Sequence, residues 1–334
     1  MVSPSVLLNL AEAVAAAPQH GLIRVPVRGE DPIQLRQMIM AWCERTGNEF
    51  VEVDSWSVAV RRGRRADPLA DIAPEQVPGT RLWLYTNFDC NLSCDYCCVL
   101  SSPRTDRRAL GVDRVRQLAV EAVAAGVSEL ILTGGEPFLL PDLAELVAAC
   151  TRALPTTLLT NGMLFHGRRL ETLKAMDRDR LTLQISLDSA TSETHDQHRG
   201  KGSWQRAVDG IRTAQTLGFT VKVAATLPAD QAHTVEALQA FLDLIGVARR
   251  HQVIRAVAHQ GAAEDGLELT LESLIPEVTI TADGVYWHPV AAADPDQFVT
   301  ADIFPLATAI AEVRKRYALQ LARANESAQW FPCA

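Results

Sequence analysis

Asn87-Phe-Asp-Cys-Asn-Leu-Ser-Cys-Asp-Tyr-Cys-Cys98 places four cysteines, Cys90, Cys94, Cys97 and Cys98, within nine residues. The first three are spaced C-x3-C-x2-C. That spacing brings three thiolates onto one small cluster and leaves no fourth in register. A [4Fe–4S] cluster normally takes four protein thiolates, one per iron, so three leave one iron open to an outside ligand. A closed structural zinc site needs a second C-x2-C pair further along, and the sequence holds none.

Outward from this run the pattern alternates. Apolar runs of four to seven residues recur at 82–86, 129–133, 156–160, 181–187, 220–225 and 252–258, with helical patterns such as 112–125 and 140–153 between them. Alternating helices and wholly apolar strands predict a parallel sheet covered by helices. Six units are too few for a closed eight-unit barrel. The cysteine run follows the first strand, at the mouth where α/β sites are built.

Further segments stand at the ends of these runs: Thr133-Gly-Gly-Glu-Pro137, Thr160-Asn-Gly162 and Gln184-Ile-Ser-Leu-Asp-Ser189, then His195-Asp196 and Arg199-Gly200. Their order and spacing behind C-x3-C-x2-C resemble the radical S-adenosylmethionine (radical SAM) enzymes over roughly residues 80 to 260. The resemblance implies an α/β fold, a partial (β/α)6 TIM-like barrel, holding a [4Fe–4S] cluster and S-adenosylmethionine. It implies Cys90, Cys94 and Cys97 as the metal ligands and the backbone and Glu136 side of Gly134-Gly135-Glu136-Pro137 against the amino group of S-adenosylmethionine. It places Tyr96 against the adenine, and Ser186 and Asp188 at the ribose or the methionine portion. Arg199 would pair with the methionine carboxylate, where a guanidinium fork suits a planar anion. Asn161 belongs to the same set, although Asn-Gly is a turn signal in its own right.

Other residues carry two readings. Cys98 is either a catalytic thiol beside the cluster or a small apolar residue packed behind the ligand loop. Cys333 is either a substrate-side thiol or an incidental tail residue. Cys43 and Cys150 fall in helical apolar runs and read as core. His195 and His198, near Arg199, either line the site or form a solvated helix face, the favoured reading, and Trp204, Trp287 and Trp330 read as packing.

The flanks read as separate parts. Residues 1–65 give an α-β-α-β-β unit that resembles the small sulfur-carrier family TusA, without the cysteine that family places before its first helix. Residues 66–79, rich in Pro, Ala and Asp, read as a linker. Residues 80–262 form the barrel. Residues 263–334 hold a hairpin turning at Asp283-Gly284 and a helix over 304–317. They resemble the SPASM or twitch extensions of peptide-modifying radical SAM enzymes, with His288 standing where a ligating cysteine is expected and only Cys333 following. A single cysteine holds no second cluster.

Composition narrows the class. The 334 residues are 48% hydrophobic with a net charge of −8, against a broad nucleic-acid-binding face. The dense basic run, Arg61-Arg62-Gly-Arg64-Arg65, reads as a solvated linker edge. No stretch reaches the roughly 20 apolar residues of a membrane span, and no signal peptide is read. Seven cysteines in this pattern predict metal ligation in a reducing cytoplasm. The expectation is an enzyme whose reduced cluster cleaves S-adenosylmethionine to a 5′-deoxyadenosyl radical that abstracts hydrogen from a ribosomally made peptide or a small metabolite. A reductase, flavodoxin or ferredoxin would supply the electron. The alternatives are a non-enzymatic iron–sulfur and S-adenosylmethionine-binding protein and a sulfur-transfer component.

Overall fold

Asp31 and Pro32 start a helix as their residue types dictate. The Asp31 carboxylate accepts the Ile33 N–H at 2.9 Å, Pro32 occupies the first turn, and Gly47 ends the helix at φ 70°, a left-handed position that suits glycine. The computed structural model describes residues 4–27, 31–54, 56–63, 69 and 72–330, and the chain divides into two units, Met1–Asp71 and Ile72–Ala334. The first unit runs α1 (Pro4–Ala16), β1 (Leu22–Pro26), α2 (Pro32–Thr46), β2 (Glu49–Val53) and β3 (Ser57–Arg61), the order its pattern predicts. The strands form an antiparallel sheet in the order β1-β3-β2. Leu10, Leu35, Ile39, Cys43, Val58 and Val60 make its core. Asp54 forms the β2–β3 turn by accepting the N–H groups of Trp56 and Ser57, both at 2.7 Å, an Asx turn.

The basic run is more than a solvated edge. Arg61 donates to the His20 carbonyl at 3.0 Å, and Arg62 to the Ala15 and Ala17 carbonyls. Both arginines satisfy backbone carbonyls left open past the end of α1. Arg64 and Arg65 lie outside the described residues, as does Cys333.

In the second unit six apolar runs become parallel strands: β4 (Arg81–Tyr85), β5 (Glu129–Thr133), β6 (Thr156–Thr160), β7 (Leu181–Ser186), β8 (Thr220–Leu227) and β9 (Gln252–Ala256). Each pairs in parallel with the next along the chain. The crossovers carry α3 (Val112–Ala124), α4 (Leu143–Ala153), α5 (Gly167–Lys174), α6 (Ser192–Arg199), α7 (Ser203–Thr216) and α8 (Val235–Leu244). This is a partial barrel. Leu82, Leu84, Leu130, Leu132, Leu158, Leu183 and Ile185 are fully buried along its strands, as strands covered by crossover helices require.

The hairpin after the barrel joins the same sheet. β10 (Thr279–Ile280) pairs in parallel with β4, then antiparallel with β11 (Val285–Tyr286), which pairs with β12 (Phe298–Thr300). The sheet therefore has nine strands among the described residues, in the order β12-β11-β10-β4-β5-β6-β7-β8-β9. The last helix, α9 (Leu306–Trp330), starts near the predicted place and runs further. Its first N–H, on Leu306, is accepted by Glu121 of α3 at 2.6 Å. No helix among the described residues is long and apolar enough to cross a membrane.

Leu132 sits fully buried on β5, facing Leu84 of β4 and Leu158 of β6 in register. Leu132→Ala is expected to lower the unfolding free energy by about 2–5 kcal/mol, read as a shift in the denaturant midpoint. A change under about 1 kcal/mol would show that the strand layer repacks freely.

Candidate active site

The strand ends of the barrel surround a cavity of about 470 Å³. Cys90, Cys94, Cys97 and Cys98 all line it. They arrive on the loop after β4, which a backbone clasp fixes to the loop after β5. The Gly135 N–H donates to the Asn87 carbonyl and the Glu136 N–H to the Asp89 carbonyl, both at 3.0 Å. The approach is so close that a Cβ on Gly135 would lie 2.1 Å from the Asp89 carbonyl oxygen. Glycine is required here by space. Asn87, fully buried, adds side-chain donation to the carbonyls of Asp89 and Glu136.

Glu136 corrects an expectation. Its carboxylate is fully buried and does not reach the cavity wall. It accepts the Phe138 N–H at 3.0 Å, the Thr160 hydroxyl at 2.8 Å and the Asn161 N–H at 2.8 Å. Burial pushes its carboxyl up, against these hydrogen bonds. The side chain thus joins β5 to β6, and the groups offered to a ligand are the backbones of Gly134 and Gly135. Pro137 is likewise buried, opening the turn that follows. Asn161 does line the cavity, and its Nδ2 donates to Asn91 Oδ1 of the cysteine loop at 2.8 Å.

Asp188 is a second buried joint. It lies behind the wall, accepting the Tyr96 hydroxyl, the Arg199 guanidinium and, at 3.0 Å, the Thr226 N–H of β8. Burial opposes its charge, but the Arg199 cation and these donors outweigh it and hold the carboxyl below its usual range. Arg199 remains charged despite burial because of Asp188, and its Cζ stands 5.5 Å from the Tyr96 ring centroid. Tyr96, Ser186 and Arg199 face the cavity and Asp188 does not. Two nitrogens of the Arg199 fork are already engaged, so a second carboxylate there meets a cation that is partly neutralised.

The two histidines are not a solvated face. His195 is 1% exposed. Its Nδ1 accepts the Asp188 N–H at 3.1 Å, which puts the ring proton on Nε2, and burial pushes its pKa down to about 4. His198 Nδ1 lies 2.9 Å from Asp95 Oδ2, tying α6 to the cysteine loop. Trp204 and Trp287 pack as predicted, on Phe241 and Tyr317. The described part of Trp330 is its helical backbone.

Sequence reading missed Asn87, Thr226 and Arg255, all of which hold or line the site. Arg255 had a signal: it breaks the apolar run of β9 near its end.

Residues 84–245 match the family model of the Radical SAM superfamily. They form a radical SAM domain. The chain is 34% identical over 158 residues to an AdoMet-dependent heme synthase of Methanosarcina barkeri (strain Fusaro / DSM 804), covering 47% of this chain and 44% of that one. It is 36% identical over 140 residues to the antilisterial bacteriocin subtilosin biosynthesis protein AlbA of Bacillus subtilis (strain 168), covering 40% and 30%. The chain thus spans less than half the length of these curated relatives. The structure of Streptococcus suis SuiB bound to S-adenosylmethionine superposes with a TM-score of 0.50 at 21% identity, over 59% of this chain and 45% of that one.

Radical SAM domains use a [4Fe–4S] cluster and S-adenosylmethionine, and the donor set fits. The Leu92 N–H donates to Cys90 Sγ at 3.4 Å and the Ser101 N–H to Cys97 Sγ at 3.2 Å, the contacts that steady cluster thiolates. Among the described residues no three His, Cys, Asp or Glu side chains are grouped to hold a single metal ion. A cluster makes no such demand, because each thiolate takes its own iron. Burial pushes the Cys90 thiol up to about 12 and the Cys94 thiol up to about 11. Burial thus favours the neutral thiols of Cys90 and Cys94, and a bound cluster would supply the charge that ionises them.

Gly135→Ala is expected to pull the two loops apart and to lower iron and sulfide content after anaerobic reconstitution, with secondary structure retained. Full loading would show the clasp to be dispensable. A second test follows from His195. Between pH 6.5 and about 4 its unfolded form takes up a proton that the folded form refuses. Stability should therefore fall as pH drops through that window, by at most about 3 kcal/mol, and His195→Gln should flatten the slope of denaturant midpoint against pH. An equal slope in the variant would remove His195 as its source.

Proposed function

We propose that this chain is a radical SAM enzyme in which Cys90, Cys94 and Cys97 hold the cluster and the cavity beside them takes S-adenosylmethionine and substrate together. The observation that carries this reading is that three cysteines, Gly134 and Gly135, and Tyr96 and Arg199 held by Asp188 behind them, line one cavity. When bound, the cluster supplies the electron that cleaves S-adenosylmethionine to a 5′-deoxyadenosyl radical, which abstracts hydrogen from substrate.

The chain's own residues position and enclose. The Gly134 and Gly135 backbones permit close approach of the cosubstrate's amino group. Asp188 fixes Tyr96 and Arg199 so that a flat face and a guanidinium border the cavity without rotamer freedom to lose on binding. Asn161, Ser186 and Thr226 offer polar atoms at neighbouring strand ends. The buried Tyr85, Phe88, Val99 and Ala292 close the back of the cysteine loop, which excludes water from the reacting centre.

The substrate we favour is a peptide. AlbA, named for biosynthesis of the bacteriocin subtilosin, supports it, and so does the hairpin added beside β4, which resembles the extensions of peptide-modifying members. A small metabolite is the second reading, favoured by the similarity to a heme synthase. A reductase, flavodoxin or ferredoxin is the proposed electron source.

The test is 5′-deoxyadenosine formation after anaerobic reconstitution with dithionite and S-adenosylmethionine. The wild type should form it, and Cys94→Ala should not. Equal product from both would remove Cys94 as a ligand. A loaded cluster that gives none in the presence of bacteriocin-type precursor peptides and of porphyrins would favour the non-enzymatic binding protein.

A further inference from the structure

Arg255 and His288 stand at opposite ends of the nine-stranded sheet, one on the edge strand β9 and the other just after β11. The curl of the partial barrel nevertheless brings both to the wall of the same cavity. Arg255 forms no ion pair with a described carboxylate, and its one hydrogen bond is a long one, from Nε to the Thr226 hydroxyl at 3.4 Å. The other charges on this wall are engaged. Arg199 is held by Asp188, and Glu277 by Arg81 and the Trp83 indole. His288 accepts the Val290 N–H on Nδ1 at 3.2 Å, so its proton sits on Nε2. Burial, then the nearby Arg255 charge, pushes its pKa down to about 4, so it is a neutral donor near pH 7. Leu269 and Leu274, from the segment between β9 and β10, supply apolar wall to the same cavity.

We propose that Arg255 and His288 form a carboxylate-binding subsite that selects substrates carrying a carboxylate next to an apolar group. A guanidinium with open N–H donors and a neutral N–H on the wall of the same cavity match the oxygens of a carboxylate. Arg255 is exposed at the cavity mouth and carries no ion pair with a described carboxylate, so its guanidinium is free to meet an anion that arrives with the substrate. The carboxylate comes from a chain end or small acid, or from an Asp or Glu side chain within a peptide. This inference deepens the proposed function and rests on its assignment of the cavity.

The test is ligand-observed NMR titration of the reconstituted full chain, with and without S-adenosylmethionine. The probes are N-acetylleucine and N-acetylglutamic acid α-amide, each against its neutral amide. At least one acid should bind about tenfold more tightly than its amide, as a charged hydrogen-bonded contact allows. Arg255→Gln should abolish that difference and Arg255→Lys should keep part of it. His288→Phe should reduce it, and S-adenosylmethionine should bind all variants alike. A preference for N-acetylleucine assigns the subsite to a chain end or small acid, and one for the glutamate probe to an internal acidic residue. Acids and amides that bind alike, or a preference that survives Arg255→Gln, would overturn the inference. Weakened S-adenosylmethionine binding in Arg255→Gln would overturn it too, by giving this cation to the cosubstrate. Failure of the wild type to bind S-adenosylmethionine would count against the proposed function, while the probe titrations without it still decide the subsite.

Discussion

The buried Glu136 carboxylate is the joint from which the site hangs. Its donors come from the turn after its own strand and from the end of β6, while its backbone N–H reaches across to the cysteine loop after β4. Three consecutive strand ends are thereby fixed to one residue. A buried carboxylate without donors would be costly; with three, it is a rigid strut. Shortening it to Asp would withdraw the acceptor oxygens from groups that then have no water to replace them.

Asp188 repeats the device two strands on. It takes Tyr96 from the cysteine loop, Arg199 from α6 and a backbone N–H from β8. The two carboxylates divide the cavity rim between them, so the side chains that border the cavity are held by groups that do not. Buried polar networks of this sort are stabilising only when every member is satisfied, and here the acceptors are met from several directions.

The barrel strands were legible because a strand buried on both faces must be apolar throughout, and the turn residues that punctuate them are local. That the cysteines share one loop at the cavity was legible because spacing on a loop is also a local property. The hydrogen-bonding roles of Glu136 and Asp188 were not legible, because a motif says which residues gather at a strand end, not which turn inward to brace. Arg61 and Arg62 read as solvated because the carbonyls they satisfy lie more than 40 residues earlier. The pairing of β10 with β4 has the same character, since two residues of strand at each position carry little pattern of their own.

That pairing also sets an order of events. Arg81 of β4 meets Glu277, just before β10, across 196 residues of chain, and His288 comes later still. On a ribosome β4 to β9 and the cysteine loop emerge before the residues of the last cavity wall. For that interval the first strand has a bare edge, and the thiols face an open basin instead of an enclosed one. Non-local pairing of this kind is slow to form. The wall that carries His288 can therefore close only after the cysteine loop has been made.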